Sequence, residues 1–171
     1  MSYKATIHGQ IALGLVVLAV LGASLFLLLP DFSERLRSQI VAGAALIALL
    51  PLFGAITGVV LARYADEDLV LGWEARKPVG VKQAILQNTV EQTVINEVTL
   101  LCLGLAAPSG YEKLCLVQAL CFLVGRIVFS FSYQRDPMKR FMGFIIGHYA
   151  AAVSLLASAA FIVIGLMDGW R

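Results

Sequence analysis

Charge is scarce in this chain. Of its 171 residues only 13 are Lys or Arg and 11 are Asp or Glu, for a net charge of +2, and the basic residues are spread over several polar breaks. That distribution excludes the basic stripe of a nucleic-acid-binding surface, and no nucleic-acid partner is expected. Histidine occurs twice and cysteine three times. Cys102, Cys115 and Cys121 all fall within apolar runs, without CxxC or Cys/His spacing, so helix packing is expected of them and no metal site. There are five prolines. Pro30, Pro78, Pro108 and Pro137 sit in or beside polar breaks, where a fixed φ and a missing amide donor stop a helix. Pro51 alone lies inside an apolar run, where it predicts a kink or a carbonyl in need of another partner. No internal repeat or low-complexity tract is present.

Apolar residues fill the remainder. They make up 60% of the chain, and the mean hydropathy is +0.86, well outside the range of soluble domains. A helix needs about 20 mostly apolar residues to cross the hydrocarbon layer. Five segments qualify: Ile7 to Leu29, Ile40 to Ala62, Val81 to Ala106, Leu114 to Tyr133, and Phe141 to Met167. The expectation is therefore an all-α integral membrane bundle of five spans, with no appended soluble domain. The first segment has the flanking Lys4 and small residues Gly22-Ala23-Ser24 of a signal peptide, but it runs on to Leu29 and reads as an uncleaved helix. The longest connection, Arg63 to Gly80, carries Asp66-Glu67-Asp68, Trp73 and Arg76-Lys77-Pro78, and reads as a surface loop or lid. With five spans, eight Lys and Arg (Lys4, Arg63, Arg76, Lys77, Lys82, Arg135, Lys139 and Arg140) share the amino-terminal side, against four (Arg35, Arg37, Lys113 and Arg171) opposite. This bias predicts a cytoplasmic amino terminus. A bacterial inner membrane is the expected location.

The third segment is the exception to this apolar pattern. It carries Gln87, Asn88, Glu91, Gln92, Asn96 and Glu97, and at 100° per residue Ala84, Asn88, Glu91, Gln92 and Ile95 share a face. On the fourth segment Arg126, Phe129, Ser130 and Tyr133 form a second stripe ending at the same surface. A charge at the bilayer centre costs at least ~2.5 kcal/mol, so these groups are expected to face the bundle interior, a neighbour or water. Two arrangements satisfy that demand. In one, Glu91 and Arg126 are a structural ion pair, with Asn88 and Gln92 as interhelical glue. In the other, the cluster forms a polar pocket open to the cytoplasm and rimmed by Arg63, Arg135, Lys139 and Arg140, suited to a small anionic ligand.

Two runs then carry a resemblance. Gln87-Asn88-Thr89-Val90-Glu91-Gln92, followed by Gly125-Arg126-Ile127-Val128-Phe129 through Tyr133 and Arg140, resembles the signature of the MAPEG superfamily, the membrane-associated proteins of eicosanoid and glutathione metabolism. The likeness covers about Ile40 to Leu166. It implies a four-helix membrane domain over residues 37–171, with residues 1–36 as an additional amino-terminal helix and loop. It further implies a homotrimer that binds glutathione, as co-substrate, between neighbouring subunits near the cytoplasmic face. Asn88 and Glu91 would hold the peptide, Arg63 and Arg126 would meet its carboxylates, and Tyr133 would line the site. Arg140 matches the arginine that stabilises the glutathione thiolate. This sequence departs from the pattern at Ala84, where an arginine is common, and at Phe129, where a tyrosine is common, removing one cation and one hydroxyl.

The resemblance implies a glutathione-dependent transferase or peroxidase acting on a lipophilic electrophile. A free thiol has a pKa near 8.5 and is mostly protonated at neutral pH, so a cation beside the sulfur increases the reactive fraction. An apolar electrophile would enter from the bilayer. The competing expectations are a non-catalytic protein that binds a lipid or anionic metabolite in the same pocket, and a small transporter; no inverted repeat or matched pair of broken helices supports the latter. His148 and Tyr149 are expected to make packing hydrogen bonds, and the pairs Gly54/Gly58 and Gly143/Gly147 to allow close helix approach. Glu97 faces away from Glu91, with no partner assignable from sequence.

Overall fold

A computed structural model describes residues 3–65 and 77–168, with side chains described from Thr6 in the first helix and from Val79 in the third. The acidic run, Trp73 and Arg76 of the long connection, read above as a lid, lie outside the described residues, as does Arg171. The described residues form five long helices and no strand: α1 (Tyr3–Leu28), α2 (Arg37–Tyr64), α3 (Lys77–Ala106), α4 (Lys113–Arg135) and α5 (Phe141–Asp168). Short 3₁₀ turns at Glu34–Leu36 and Pro137–Lys139 lead into α2 and α5. Helix α2 runs unbroken through Pro51.

The polar breaks close the bundle at both ends. At one end Arg37 donates to Glu112 at 3.1 Å, and Lys113 pairs with Asp31 at 2.6 Å. Glu112 is 1% exposed. Burial alone would push its carboxyl up, but its own backbone N–H, the Arg37 guanidinium and the Gly110 N–H together hold it below the ordinary carboxylate range. Gly110 itself adopts φ 92°, the left-handed backbone that turns the chain from α3 into α4. At the other end Asp136 caps the second 3₁₀ turn by accepting from the Met138 N–H at 3.0 Å, with Pro137 preset in its first position.

Small residues set the helix spacing. Ala44 and Ala48 of α2 meet Leu100 and Leu103 of α3 and Cys115, Ala119 and Phe122 of α4 in a fully buried cluster, which gives Cys115 the packing role expected of it. Helices α4 and α5 approach backbone to backbone. A Cβ on Gly143 would lie 2.6 Å from the Phe129 Cα, and one on Gly125 would lie 2.8 Å from the Gly147 Cα. The Gly143/Gly147 pair thus does the expected work inside the protomer, while a Cβ at Gly54 or Gly58 would meet nothing within 4 Å.

Four helices, α1, α2, α4 and α5, are long and apolar enough to cross a membrane. At 30 residues α3 has the length, about 45 Å, but is too polar to qualify by composition, so the five-span expectation holds for the helices and not for their hydropathy. Nevertheless α3 packs against α2, α4 and α5. Several of its polar groups find partners there: Gln118 of α4 donates to the Asn96 carbonyl and to the Thr99 hydroxyl, and Gln92 meets Nδ1 of His148 at 3.0 Å. His148 therefore serves packing, as expected. Helix α1 lies outside this core against α5 and α4, where a Cβ on Gly14 would touch Ile145 and where Gln10 donates to the Met138 carbonyl at 3.1 Å.

Candidate functional site

The glycine contact between α4 and α5 fixes the site. By removing side-chain thickness at Gly125 and Gly143 it draws the stripe Phe129–Tyr133 against the first turns of α5. Arg140 stands at the junction, ending the Asp136-capped turn, and its carbonyl accepts from the Phe144 N–H to start α5. Facing these from α3 are Ala84, Gln87, Asn88 and Glu91, which with Phe129, Tyr133, Arg140, Phe141 and Phe144 enclose a cavity of about 410 Å³. Four of the six residues expected to form the site, Asn88, Glu91, Tyr133 and Arg140, thus line one space.

The guanidinium of Arg140 sits 5.5 Å from the Tyr133 ring centroid and 5.5 Å from that of Phe141, within range of both aromatic faces. It is half-buried and lines the cavity. Glu91 is exposed and accepts only a long contact, 3.4 Å, from Gln87. Of the two arrangements, the Glu91–Arg126 ion pair is not formed among the described residues. Among the described residues nothing engages this carboxylate more closely, and it is placed to take a ligand ammonium or amide.

Arg126 is placed differently from expectation. It is 1% exposed, donates to Asn88 Oδ1 at 2.9 Å and to the Thr89 hydroxyl at 2.6 Å, and lies 4.1 Å over the Phe129 ring. It lines not the Asn88–Arg140 cavity but a second one of about 510 Å³ between α2, α3 and α4, with Lys82, Ser130, Gln134 and Pro51 on its walls. Its Nε is buried without a partner among the described residues. Arg126 therefore forms the partition between two cavities: it orients Asn88 for the first and turns an unused donor toward its own surroundings. Arg63, at the end of α2, is exposed and lines neither space.

The departures from the family pattern have visible consequences. Ala84 leaves its stretch of the first cavity wall without a cation. Phe129 supplies a ring for Arg126 to stack on where a tyrosine would also have offered a hydroxyl.

Several participants were missed from the sequence. Thr89 holds Arg126, and as a neutral residue between Asn88 and Glu91 it carries no sequence signal for that role. Phe144 and Lys82 had a usable signal in helical spacing: Phe144 lies one turn after Arg140, and Lys82, Ile85 and Thr89 share a face of α3. Gln87 falls outside the face shared by Asn88 and Glu91 at 100° per residue, yet it lines the cavity beside Asn88.

No curated protein matches the chain. The sequence profile of the MAPEG family matches residues 39–161, which begins just inside α2, takes in α3 and α4, and ends within α5. Helix α1 lies wholly outside the matched segment. With the helical membrane architecture and most of the signature residues on one cavity, this match places the chain in the MAPEG family.

Proposed function

We propose that this protein binds glutathione in the Asn88–Arg140 cavity and uses Arg140 to hold it as the thiolate, for conjugation to, or reduction of, a lipophilic electrophile. One observation carries the proposal: Asn88 and Glu91 of α3, Tyr133 of α4 and Arg140 at the junction before α5 line the same 410 Å³ space. That volume is of the size of ordinary small-molecule sites, roughly 300–1,000 Å³. The chemistry of the donors also fits. A tripeptide thiol offers an ammonium and amides for Glu91, Gln87 and Asn88, and carboxylates for guanidinium groups. Arg140, between two aromatic faces, is the cation suited to a sulfur anion. The thiolate would attack the electrophilic carbon as the leaving group departs with its electron pair, or attack the terminal oxygen of a hydroperoxide, breaking the O–O bond and releasing an alkoxide that takes a proton, after which a second glutathione converts the sulfenic acid to disulfide and water; the aromatic wall of Phe129, Phe141 and Phe144 would receive the apolar partner.

The proposed assembly is a homotrimer in which a neighbour completes the open side of the cavity, bringing exposed cations such as Arg63 to the ligand. The proposed orientation puts the cavity on the cytoplasmic side of a bacterial inner membrane, following the eight-to-four bias in Lys and Arg. Mixing folded protein with glutathione tests the function. Thiolate absorbance and conjugation of a reactive aryl halide are expected, and absence of both overturns the catalytic proposal.

A second reading has a specific observation behind it. Arg126 is engaged by Asn88, Thr89 and Phe129, which leaves Arg140 as the one cation lining the cavity among the described residues. A non-catalytic protein holding a lipid or another anionic metabolite would need no more. Native mass spectrometry separates the two, since that reading requires a retained lipid and no bound glutathione.

A further inference from the structure

Helix α1 lies wholly outside the segment matched by the family profile, yet it holds the backbone on either side of Arg140. Gln10 and Gly14, four residues apart, share one face of α1. Opposite them stand Met138 and Met142, again four apart, with Arg140 midway between. Gln10 Nε2 donates to the Met138 carbonyl at 3.1 Å. One turn further along α1, a Cβ on Gly14 would lie 3.1 Å from the Met142 carbonyl oxygen and 3.0 Å from the Ile145 Cβ, so the two segments meet there with almost no room for a side chain.

The Met138 carbonyl needs this donor. It falls between the Lys139-to-Asp136 bond of the 3₁₀ turn and the Phe144-to-Arg140 bond that opens α5. A carbonyl left without a donor in such a place costs free energy. The Met138 N–H is already held by the Asp136 carboxylate at 3.0 Å, so Gln10 fixes the second polar group of the residue. Arg140 follows two residues later. Its guanidinium is held there by the Tyr133 and Phe141 rings, each 5.5 Å away, and by no hydrogen bond among the described residues. Aromatic faces attract a cation without fixing its direction, so the backbone of the turn decides where the charge stands.

We propose that Gln10, seconded by the close contact at Gly14, is a positioning residue that holds the Met138–Met142 segment so that Arg140 stays in the 410 Å³ cavity beside a bound thiolate. The inference rests on the glutathione reading of that cavity. Gln10 does not line the cavity and acts only through Met138 and Arg140. When the contact is lost, the turn and Arg140 drift from the sulfur and the thiolate fraction falls, while Asn88 and Glu91 on α3 keep their hold on the peptide.

The pH dependence of thiolate absorbance in the full-length protein with glutathione bound tests this. Gln10→Met keeps the side-chain length but donates nothing. It should move the ionisation midpoint upward by about 0.3–1 pH unit and lower kcat about two- to tenfold, the range of one hydrogen bond, with KM nearly unchanged. Gly14→Ala, which presses α1 away from the Met142 carbonyl, provides an independent variant and should shift the midpoint in the same direction. Gly22→Ala, on the same helix where a Cβ meets nothing within 4 Å, should leave it in place. Amide hydrogen exchange over Met138–Met142, measured without glutathione, should quicken in Q10M. Arg140→Gln separates the two claims: if it leaves the thiolate intact, the glutathione reading fails. If it removes the thiolate while Q10M and G14A titrate like the unaltered protein, the positioning role is overturned. A Q10M protein that melts lower yet titrates unchanged also refutes it, because the contact is then structural alone.

Discussion

Replacing Gly143 with Ala isolates the contact on which the site rests. In an exposed helix the change would stabilise, because Gly is about 0.8–1.0 kcal/mol worse than Ala at an interior position. Here the added Cβ would sit 2.6 Å from the Phe129 Cα, roughly 0.8 Å short of the 3.4 Å at which ordinary contact begins. The obstacle is backbone, which cannot rotate aside, so α5 must move away from α4. Overpacking of this kind costs about 1–3 kcal/mol, enough to cancel the propensity gain and reverse its sign. The displaced α5 carries Phe141 and Phe144 and begins directly after Arg140, so all three of these cavity residues would shift. An error near 1 Å in placing a reacting group is worth up to ~100-fold in rate.

Gly147→Ala is the matched control, since its Cβ would meet Phe122 at 3.6 Å, an ordinary contact. Gly58→Ala is a second, meeting nothing within 4 Å. Melting in detergent should fall for G143A and hold or rise for G147A and G58A, and glutathione affinity should drop in G143A alone. A G143A protein that melts as high as G147A and binds glutathione equally well would refute the backbone contact and the placement of Arg140 that follows from it.

Three further outcomes are expected. Arg140→Gln should remove the thiolate absorbance and lower turnover by about 100-fold or more, with a much smaller loss of glutathione affinity, read from the spectrum and from steady-state rates. Arg126→Lys keeps the charge but cannot reach Asn88 and Thr89 with two nitrogens while stacking on Phe129, so melting should fall by an amount equivalent to ~1–3 kcal/mol. Glu112→Gln tests the far end of the bundle by pH. The folded-state carboxyl of Glu112 titrates below its ordinary 4.5, so its stabilisation is present above 4.5 and is lost as pH falls through the lowered value. The melting difference between E112Q and the unaltered protein should therefore be plain at neutral pH and close on acidification.

The helices were legible in the sequence because apolar run length and proline punctuation are local signals. Each of the five expected segments lies within a few residues of an observed helix. Asn88, Glu91, Tyr133 and Arg140 were legible too, because helical periodicity puts the first two on one face and the family likeness supplies the others. What periodicity cannot say is which partner a buried cation takes. Arg126 had Glu91 within one turn of Asn88, and chose Asn88 and Thr89. An ion pair deep in the bundle must offset two desolvation penalties, whereas two neutral acceptors and an aromatic face solvate the guanidinium while burying no second charge. Nor could spacing show which glycine pair would be used: both read G-x-x-x-G, but only Gly143/Gly147 faces another backbone.

Glu97 carries the argument beyond the protomer. It lies six residues past Glu91 along α3, about 9 Å further from the Asn88–Arg140 end, and its Oε1 is buried without a partner among the described residues. Beside it on α3, Val94, Val98 and Leu101 are exposed, at 59%, 56% and 51%. Lipid against this face would leave a carboxyl in hydrocarbon, at ~2.5–3.5 kcal/mol on insertion scales, whereas a second copy of the chain could offer it a polar neighbour. The proposed trimer therefore predicts that α3 is covered by protein. A cysteine at position 98 (V98C) should give dimer and trimer bands with a short thiol crosslinker in membranes, while V163C, on the exposed flank of α5, should not. If V98C instead reacts readily with a lipid-phase maleimide and never crosslinks, α3 faces the bilayer and the trimer proposal fails.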